Sequence, residues 1–186
     1  DAQATEEYRA PSLATEGFDL AIRHSATAPD THVAWTLCET QSVLVATRAY
    51  LSRMGSPQQP QELLGHNCLH YPRSQDRPAW TLEKRDPAGQ ERVTVQISGS
   101  LAANNSEALR DAALAGLGIA LLPDFSAQAG LQADELVRVL PDWTPVDSFA
   151  GQLHAIRPYS AHVPRAVSAL VAFLRERLAP GFGAGL

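Results

Sequence analysis

From Val93 to Ile97 the chain alternates, with Val93, Val95 and Ile97 apolar and Thr94 and Gln96 polar. A two-residue period is that of a strand with one buried face. It belongs to a predicted strand Arg92–Ser98, and across the polar stretch "RDPAGQE" stands a second, Trp80–Lys84, so the pair reads as a hairpin. Upstream, apolar runs predict strands at Phe18–Arg23, Ala34–Glu39 and Ser42–Thr47, then a helix Arg48–Met54 stopped by Gly55 and Pro57. A helical turn at Gln61–Leu64 precedes a predicted strand Asn67–Tyr71. Near the end, strands at Leu136–Leu140 and Leu153–Arg157 lead to a helix with Pro164 in its first turn. Its apolar stripe is Val167, Leu170, Val171, Leu174 and Leu178.

The stretch "NNSEALRDAALAGLGIALLP" (104–123) carries the densest local signal. Asn104 and Glu107 have capping-box spacing, which predicts a helix opening at or near Asn105. Ala108, Leu109, Ala112 and Ala113 form a small-residue face, and Gly116 suits the left-handed position past the helix end. Ile119–Leu122 is short, apolar and stopped by Pro123, as a buried parallel strand is, and a short helix follows Asp124. Buried strands alternating with helices imply an α/β protein with parallel or mixed sheets covered by helices. The hairpin-bearing middle, bounded near residues 66 and 151, favours two lobes over one continuous layer.

Composition narrows the class. With 186 residues, 45% hydrophobic, the chain can bury one good core or two small ones. Fifteen basic residues against 20 acidic ones give a net charge of −5, and no Lys/Arg cluster marks a free-standing nucleic-acid binder. The longest apolar run, Ala112 to Leu122, is far short of the roughly twenty residues that span a bilayer. No signal-peptide pattern opens "DAQATEEYRAP", so the expected compartment is the cytoplasm. Cys38 and Cys68 lie in strand-like stretches and read as buried free thiols, and the tail "APGFGAGL" reads as frayed.

Five segments in order, "EGFDLAIR", "VLVATRAYLSRMGSPQQPQELLGHNCLHY", "GSLAANNSEALRDAALAGLGIALLPDF", "LVRVLPDW" and "LHAIRPYSAHVPRAVSALVAFLRERL", resemble the effector-binding domain of LysR-type transcriptional regulators. The resemblance runs from about Glu16 to Leu178, and within the family it is nearest the glycine-cleavage-activator-like group. It implies two Rossmann-like lobes of the type 2 periplasmic-binding-protein kind, joined by crossover strands, with a small molecule held between them. Lobe I is then residues 1–66 plus 152–186, and lobe II is 67–151. It also implies an N-terminal winged helix-turn-helix that reads DNA, a linker helix, and a first strand and helix of lobe I. None is recognised here, and residues 1–9 match the family's second strand poorly, so the chain reads as a fragment. The implied protein is a homo-dimer or homo-tetramer that senses an organic or amino acid, with no cofactor, no metal and no enzymatic activity. The alternatives are a solute-binding protein of an uptake system and an enzyme on the same lobes, such as a dehydratase.

Ligands of open α/β sheets lie beyond strand carboxyl ends and at helix N-termini, which selects the candidate residues. Asn104, Asn105 and Ser106 head the helix of lobe II, where amide donors and the dipole suit an acid; ordinary capping is the competing reading. His24 and Ser25 follow the first strand as cleft residues or as a solvated loop. Thr47 and Arg48 stand where the family has Ser-Pro, and Arg48 either holds a carboxylate or ends an exposed helix. His70 and Tyr71 close a strand as cleft floor or as core, and Phe125 is assigned more to packing than to recognition.

Sharper chemistries fail on spacing. His66 and His70 are four apart, but on a strand that is about 13 Å, too far for one zinc ion. "GLGIAL" lacks the third glycine of a dinucleotide loop and stands in helix-then-strand order. No serine sits in a nucleophile elbow.

Overall fold

A computed structural model describes residues 17–25, 32–72, 77–85, 91–160 and 162–182. The readings of residues 1–9, of the tip of the hairpin turn and of the last tail residues fall outside these. In chain order the elements are β1 (Ala21–His24), β2 (His32–Glu39), β3 (Ser42–Ala46), α1 (Arg48–Met54), a 3-10 turn (Pro60–Gly65), β4 (Cys68–Leu69), β5 (Ala79–Lys84) and β6 (Arg92–Gln96). Then come α2 (Ser106–Leu114), β7 (Ile119–Pro123), α3 (Asp124–Gln132), β8 (Val137–Arg138), β9 (Trp143–Val146), β10 (Gln152–Pro158) and α4 (Arg165–Leu178).

The chain divides into two compact units. One takes in the residues up to Cys38 together with Gln152–Ala179; the other takes in Glu39–Gly151 and the residues from Pro180 on. The stretch 39–66, which the family resemblance assigns to lobe I, packs with the second unit because β3 pairs with β7 on one side and β8 on the other.

In the first unit the sheet order is β1-β10-β2, with β1 antiparallel to β10 so that Ala21 faces Ile156 and His24 faces Leu153. Its core is Leu37, Ala155, Val167 and Val171, to which the α4 stripe adds the half-buried Leu174 and Leu178. Leu170, predicted to be part of that stripe, is 47% exposed.

The second unit holds a four-stranded sheet, β4-β7-β3-β8, and a three-stranded sheet, β6-β5-β9. β3 and β7 are buried on both faces. Leu44, Ala46, Ile119 and Leu121 pack toward Trp80, Leu82, Val95 and Trp143 of the three-stranded sheet. Val43, Val45, Ala120 and Leu122 pack toward α2 and α3 through Leu109, Ala113 and Ala127. This two-sided burial produces the unbroken apolar runs of the sequence. Ala108 of the predicted small-residue face is exposed. β7 runs parallel to β4 but antiparallel to β3, so the sheet is mixed.

Several boundaries differ from the sequence reading. The helix cap is Asn105 rather than Asn104, because its Oδ1 accepts the Glu107 N–H at 2.8 Å and the Ala108 N–H at 3.4 Å. The strand expected over Asn67–Tyr71 shortens to Cys68–Leu69, followed by a lone parallel bridge between His70 and Ala102. The strand expected over Leu136–Leu140 keeps only Val137 and Arg138, with Leu140 turning at φ 53°. Gly116 takes the expected left-handed conformation at φ 72°. Gly99 and Gly118 let the backbone pass against β4: a Cβ on either would overlap the carbonyl of Cys68 or Asn67.

Candidate functional site: the carboxyl edge of β4 and β7

Because β4 and β7 are parallel, their carboxyl ends lie together, and the chain leaving each enters the same region of the second unit. After β4, His70 and Ala103 are locked backbone to backbone: the His70 N–H donates to Leu101 O (3.3 Å) and the Ala103 N–H to His70 O (3.1 Å). That clamp puts His70 and Tyr71 beside the segment that runs into Asn104, Asn105 and Ser106. The His70 Nδ1–H donates to Cys68 O (3.1 Å).

At the start of α2, Asn105 uses its side-chain oxygen on two backbone donors of the first turn. Asn104 is exposed, and its side chain has no hydrogen bond among the described residues. Ser106 is half-buried and shares a 2.8 Å hydrogen bond with the hydroxyl of Ser126 in α3. The start of α3 is differently arranged. Asp124, 2% exposed, accepts the Gln41 N–H (2.9 Å) and the Phe125 N–H (2.8 Å), so a carboxylate already occupies the positive end of α3. The cap of α2 is neutral, although Glu107 adds an exposed acid to its first turn. Phe125 is half-buried with its ring edge-on to Phe182, centroids 5.7 Å apart.

The other candidates stand elsewhere. β3 is antiparallel to β7, with Ser42 opposite Pro123 and Val45 opposite Ala120, so the end of β3 lies at the beginning of β7. Thr47 and Arg48 are therefore at the opposite edge of the sheet from α2's front end. There Thr47 caps α1 by accepting the Tyr50 N–H (3.2 Å), and Arg48 pairs with Asp134 at 2.6 Å, both partners exposed. His24 and Ser25 belong to the first unit, at the end of β1, where the Ser25 N–H donates to Gln152 O (3.3 Å). The structure thus brings together His70, Tyr71, Asn104, Asn105 and Ser106, with Phe125 joined to them through the turn that carries Ser126.

Sequence reasoning missed Asp124 and Ser126. An acid directly after Pro123 was a legible first-turn signal; nothing local marked Ser126 as the partner of Ser106. No group of three or more His, Cys, Asp or Glu side chains able to hold a metal occurs among the described residues. At the opposite edge, and buried, the Tyr50 hydroxyl accepts the Asn67 N–H (3.0 Å) and shares a 3.2 Å hydrogen bond with His66 Nδ1. Burial raises the Tyr50 pKa and lowers that of His66.

Residues 3–179 match the family described as the LysR substrate binding domain. The chain belongs to that family. A LysR-type regulator from Klebsiella pneumoniae described as the probable HTH-type transcriptional regulator LtrA is 33% identical over 171 residues, 91% of this chain and 53% of its own length. The HTH-type transcriptional regulator PtxR of Pseudomonas aeruginosa is 34% identical over 171 residues, covering 89% and 51%. The chain therefore spans about half the length of these relatives. Among solved structures, the regulatory domain of CrgA, a LysR-type regulator of Neisseria meningitidis, has a TM-score of 0.72 at 26% identity, covering 89% of this chain and 78% of that one. The mixed sheets with covering helices are those of the LysR effector-binding fold, a type 2 periplasmic-binding-like α/β fold. The relatives are transcriptional regulators rather than enzymes, and no described helix is long and apolar enough to cross a membrane.

Proposed function

We propose that this chain is the effector-binding regulatory part of a cytoplasmic LysR-type transcriptional regulator, with no catalytic role of its own. It binds a small organic or amino acid, and occupancy controls how the full-length homo-oligomer engages DNA through a winged helix-turn-helix. Membership of the LysR substrate-binding family supports the class. The observation that supports the site is the hydrogen-bonded junction between β4's exit and the segment leading into α2, which brings Asn104, Ser106 and the amide-capped α2 terminus close to His70 and Tyr71. Neutral donors at a helix start favour a carboxylate, whereas the α3 terminus already has one in Asp124. His24, Ser25, Thr47 and Arg48 are not needed for this reading.

A ligand regulates only if it binds two arrangements of the protein with different affinity. The test has two parts. Thermal denaturation with a panel of organic and amino acids should reveal a stabiliser whose effect is lost in Ser106→Ala. Binding of the full-length regulator to its promoter DNA should then shift with the same compound. A panel without any stabiliser, or a stabiliser indifferent to Ser106 and to DNA binding, refutes the proposal.

A further inference from the structure

Beside this edge, and wholly within the second unit, lies a cavity of about 220 Å³. Of the residues gathered above, His70 and Tyr71 line it, whereas none of Asn104, Asn105 and Ser106 does. Its large apolar side chains are Trp80, Leu121, Tyr71 and Phe149. Trp80 and Leu121 belong to the core between the two sheets and are each 4% exposed. Tyr71 and Phe149 meet edge to face, with centroids 6.0 Å apart and planes at 83°. Three of these four lining side chains are aromatic, which suits the edge or face of a flat ring.

The polar groups of the cavity are few, and most are committed. Asp147 is held by Arg92, which also takes Glu83. The Ser148 hydroxyl donates to Val146 O. His70 donates through Nδ1 to Cys68 O. Arg77 is the exception: it is exposed at the cavity wall and makes no ion pair among the described residues. A guanidinium beside an aromatic slot is a fork for a planar carboxylate. Size sets a limit as well, since the cavity is smaller than the roughly 300 Å³ at which drug-sized pockets begin.

We infer that this cavity is a binding site for a compact aromatic carboxylate, a single ring whose acid group is taken by Arg77 and whose ring lies against Trp80, Tyr71 and Phe149. It goes beyond the function proposed above, sharing His70 and Tyr71 with that site but not the start of α2.

Benzoate, benzamide and succinate are the probes, used on the whole chain by calorimetry and by tryptophan fluorescence. Benzoate should bind saturably and quench Trp80, and the quench should vanish in Trp80→Phe while binding heat remains. Benzamide, which keeps the ring but not the charge, should bind about tenfold more weakly or worse, as should benzoate to the exposed-site variant Arg77→Met. Ser106→Ala should bind benzoate as the parent does. Failure of benzoate to bind at millimolar concentration, equal binding of benzamide, preference for succinate, or indifference to Arg77→Met each overturns the inference.

Discussion

Replacing Asn105 separates two jobs that the start of α2 combines, capping and ligand binding. Its Oδ1 takes one full hydrogen bond, from Glu107 N at 2.8 Å, and one at 3.4 Å from Ala108 N, longer than the usual amide range. Both donors are on the surface, so water partly replaces the lost oxygen. Asn105→Ala should therefore cost about 1 kcal/mol, the middle of the range for lost caps, and lower the melting temperature by about 2 to 4 °C in a chain of this size. Asn105→Asp keeps the acceptor and adds a charge at the positive end of the helix. Its stability should match the parent or exceed it by a few tenths of a kcal/mol, a small gain because Glu107 already serves that end. Binding should respond in the opposite sense. A new carboxylate about 5 Å from the acid of an effector costs about 1 to 3 kcal/mol at the dielectric of a protein surface, or about five- to 150-fold in affinity. Guanidinium unfolding followed by fluorescence reads the first effect, and calorimetry with the stabilising acid reads the second. An Asn105→Ala variant as stable as the parent, with the loss appearing in Asn104→Ala instead, would move the cap back to Asn104. An Asn105→Asp variant that binds the acid as well as the parent would show that the anion does not sit at this helix end.

Four further outcomes are expected. Gly118→Ala sets a methyl group against the Asn67 carbonyl and should cost about 3 kcal/mol or more, read as lost soluble yield or a strongly lowered melting temperature. Burial pushes the Cys68 thiol up to about 12, so stability should fall from pH 9 upward, where only the unfolded thiol ionises, at up to about 1.4 kcal/mol per pH unit; Cys68→Ala should flatten that limb, and a thiol reagent at pH 8 should label Cys68 only as the protein unfolds. His66 is lowered from 6.5 by burial, so its contribution to stability is present above that pH and is lost as the pH falls; Tyr50→Phe, which strips its Nδ1 partner and leaves the Asn67 N–H unpaired, should cost about 1 to 3 kcal/mol in urea unfolding and change the slope of the acid limb. Arg48→Ala breaks an exposed ion pair and should cost no more than about 1 kcal/mol, with affinity for the stabilising acid unchanged in calorimetry.

Local chemistry was strongest where the sequence reading succeeded. Arg48–Met54 appears as an α-helix with the predicted ends because Thr47, Gly55 and Pro57 punctuate both sides. The alternation over Val93, Val95 and Ile97 translates into a hairpin strand with Val95 buried, and Ile97, just past its end, is buried as well. Where two signals competed, position slipped by a residue. Asn104 and Asn105 are equal as caps in composition, and the choice fell to Asn105, whose extended backbone aims Oδ1 at Glu107 N. The direction of β3 was not legible. Ser42–Ala46 is apolar in any register and buried on both faces, so nothing in its pattern distinguishes a parallel neighbour of β7 from an antiparallel one.

That undetermined direction has a functional consequence. A rule that places ligands beyond strand carboxyl ends gathers candidates at one edge only if the strands run the same way. β4 and β7 do, and their exits supply His70, Tyr71, Asp124 and Phe125 to one edge, with the clamp between His70 and Ala103 drawing Asn104 to Ser106 to it. β3 runs the other way, and the same rule applied to it yields Thr47 and Arg48, one occupied as a cap and the other paired with an exposed carboxylate. Conversely, the amino end of β3 reaches the edge with the site, where the Gln41 N–H binds Asp124 and holds a negative charge at the α3 terminus. The two helix starts at this edge therefore differ in burial and commitment: at α3 the buried Asp124 carboxylate is hydrogen-bonded to the Gln41 and Phe125 N–H groups, whereas at α2 the cap is the Asn105 amide and the acid, Glu107, is exposed, and that difference is the reason for proposing α2 as the end that takes an incoming acid.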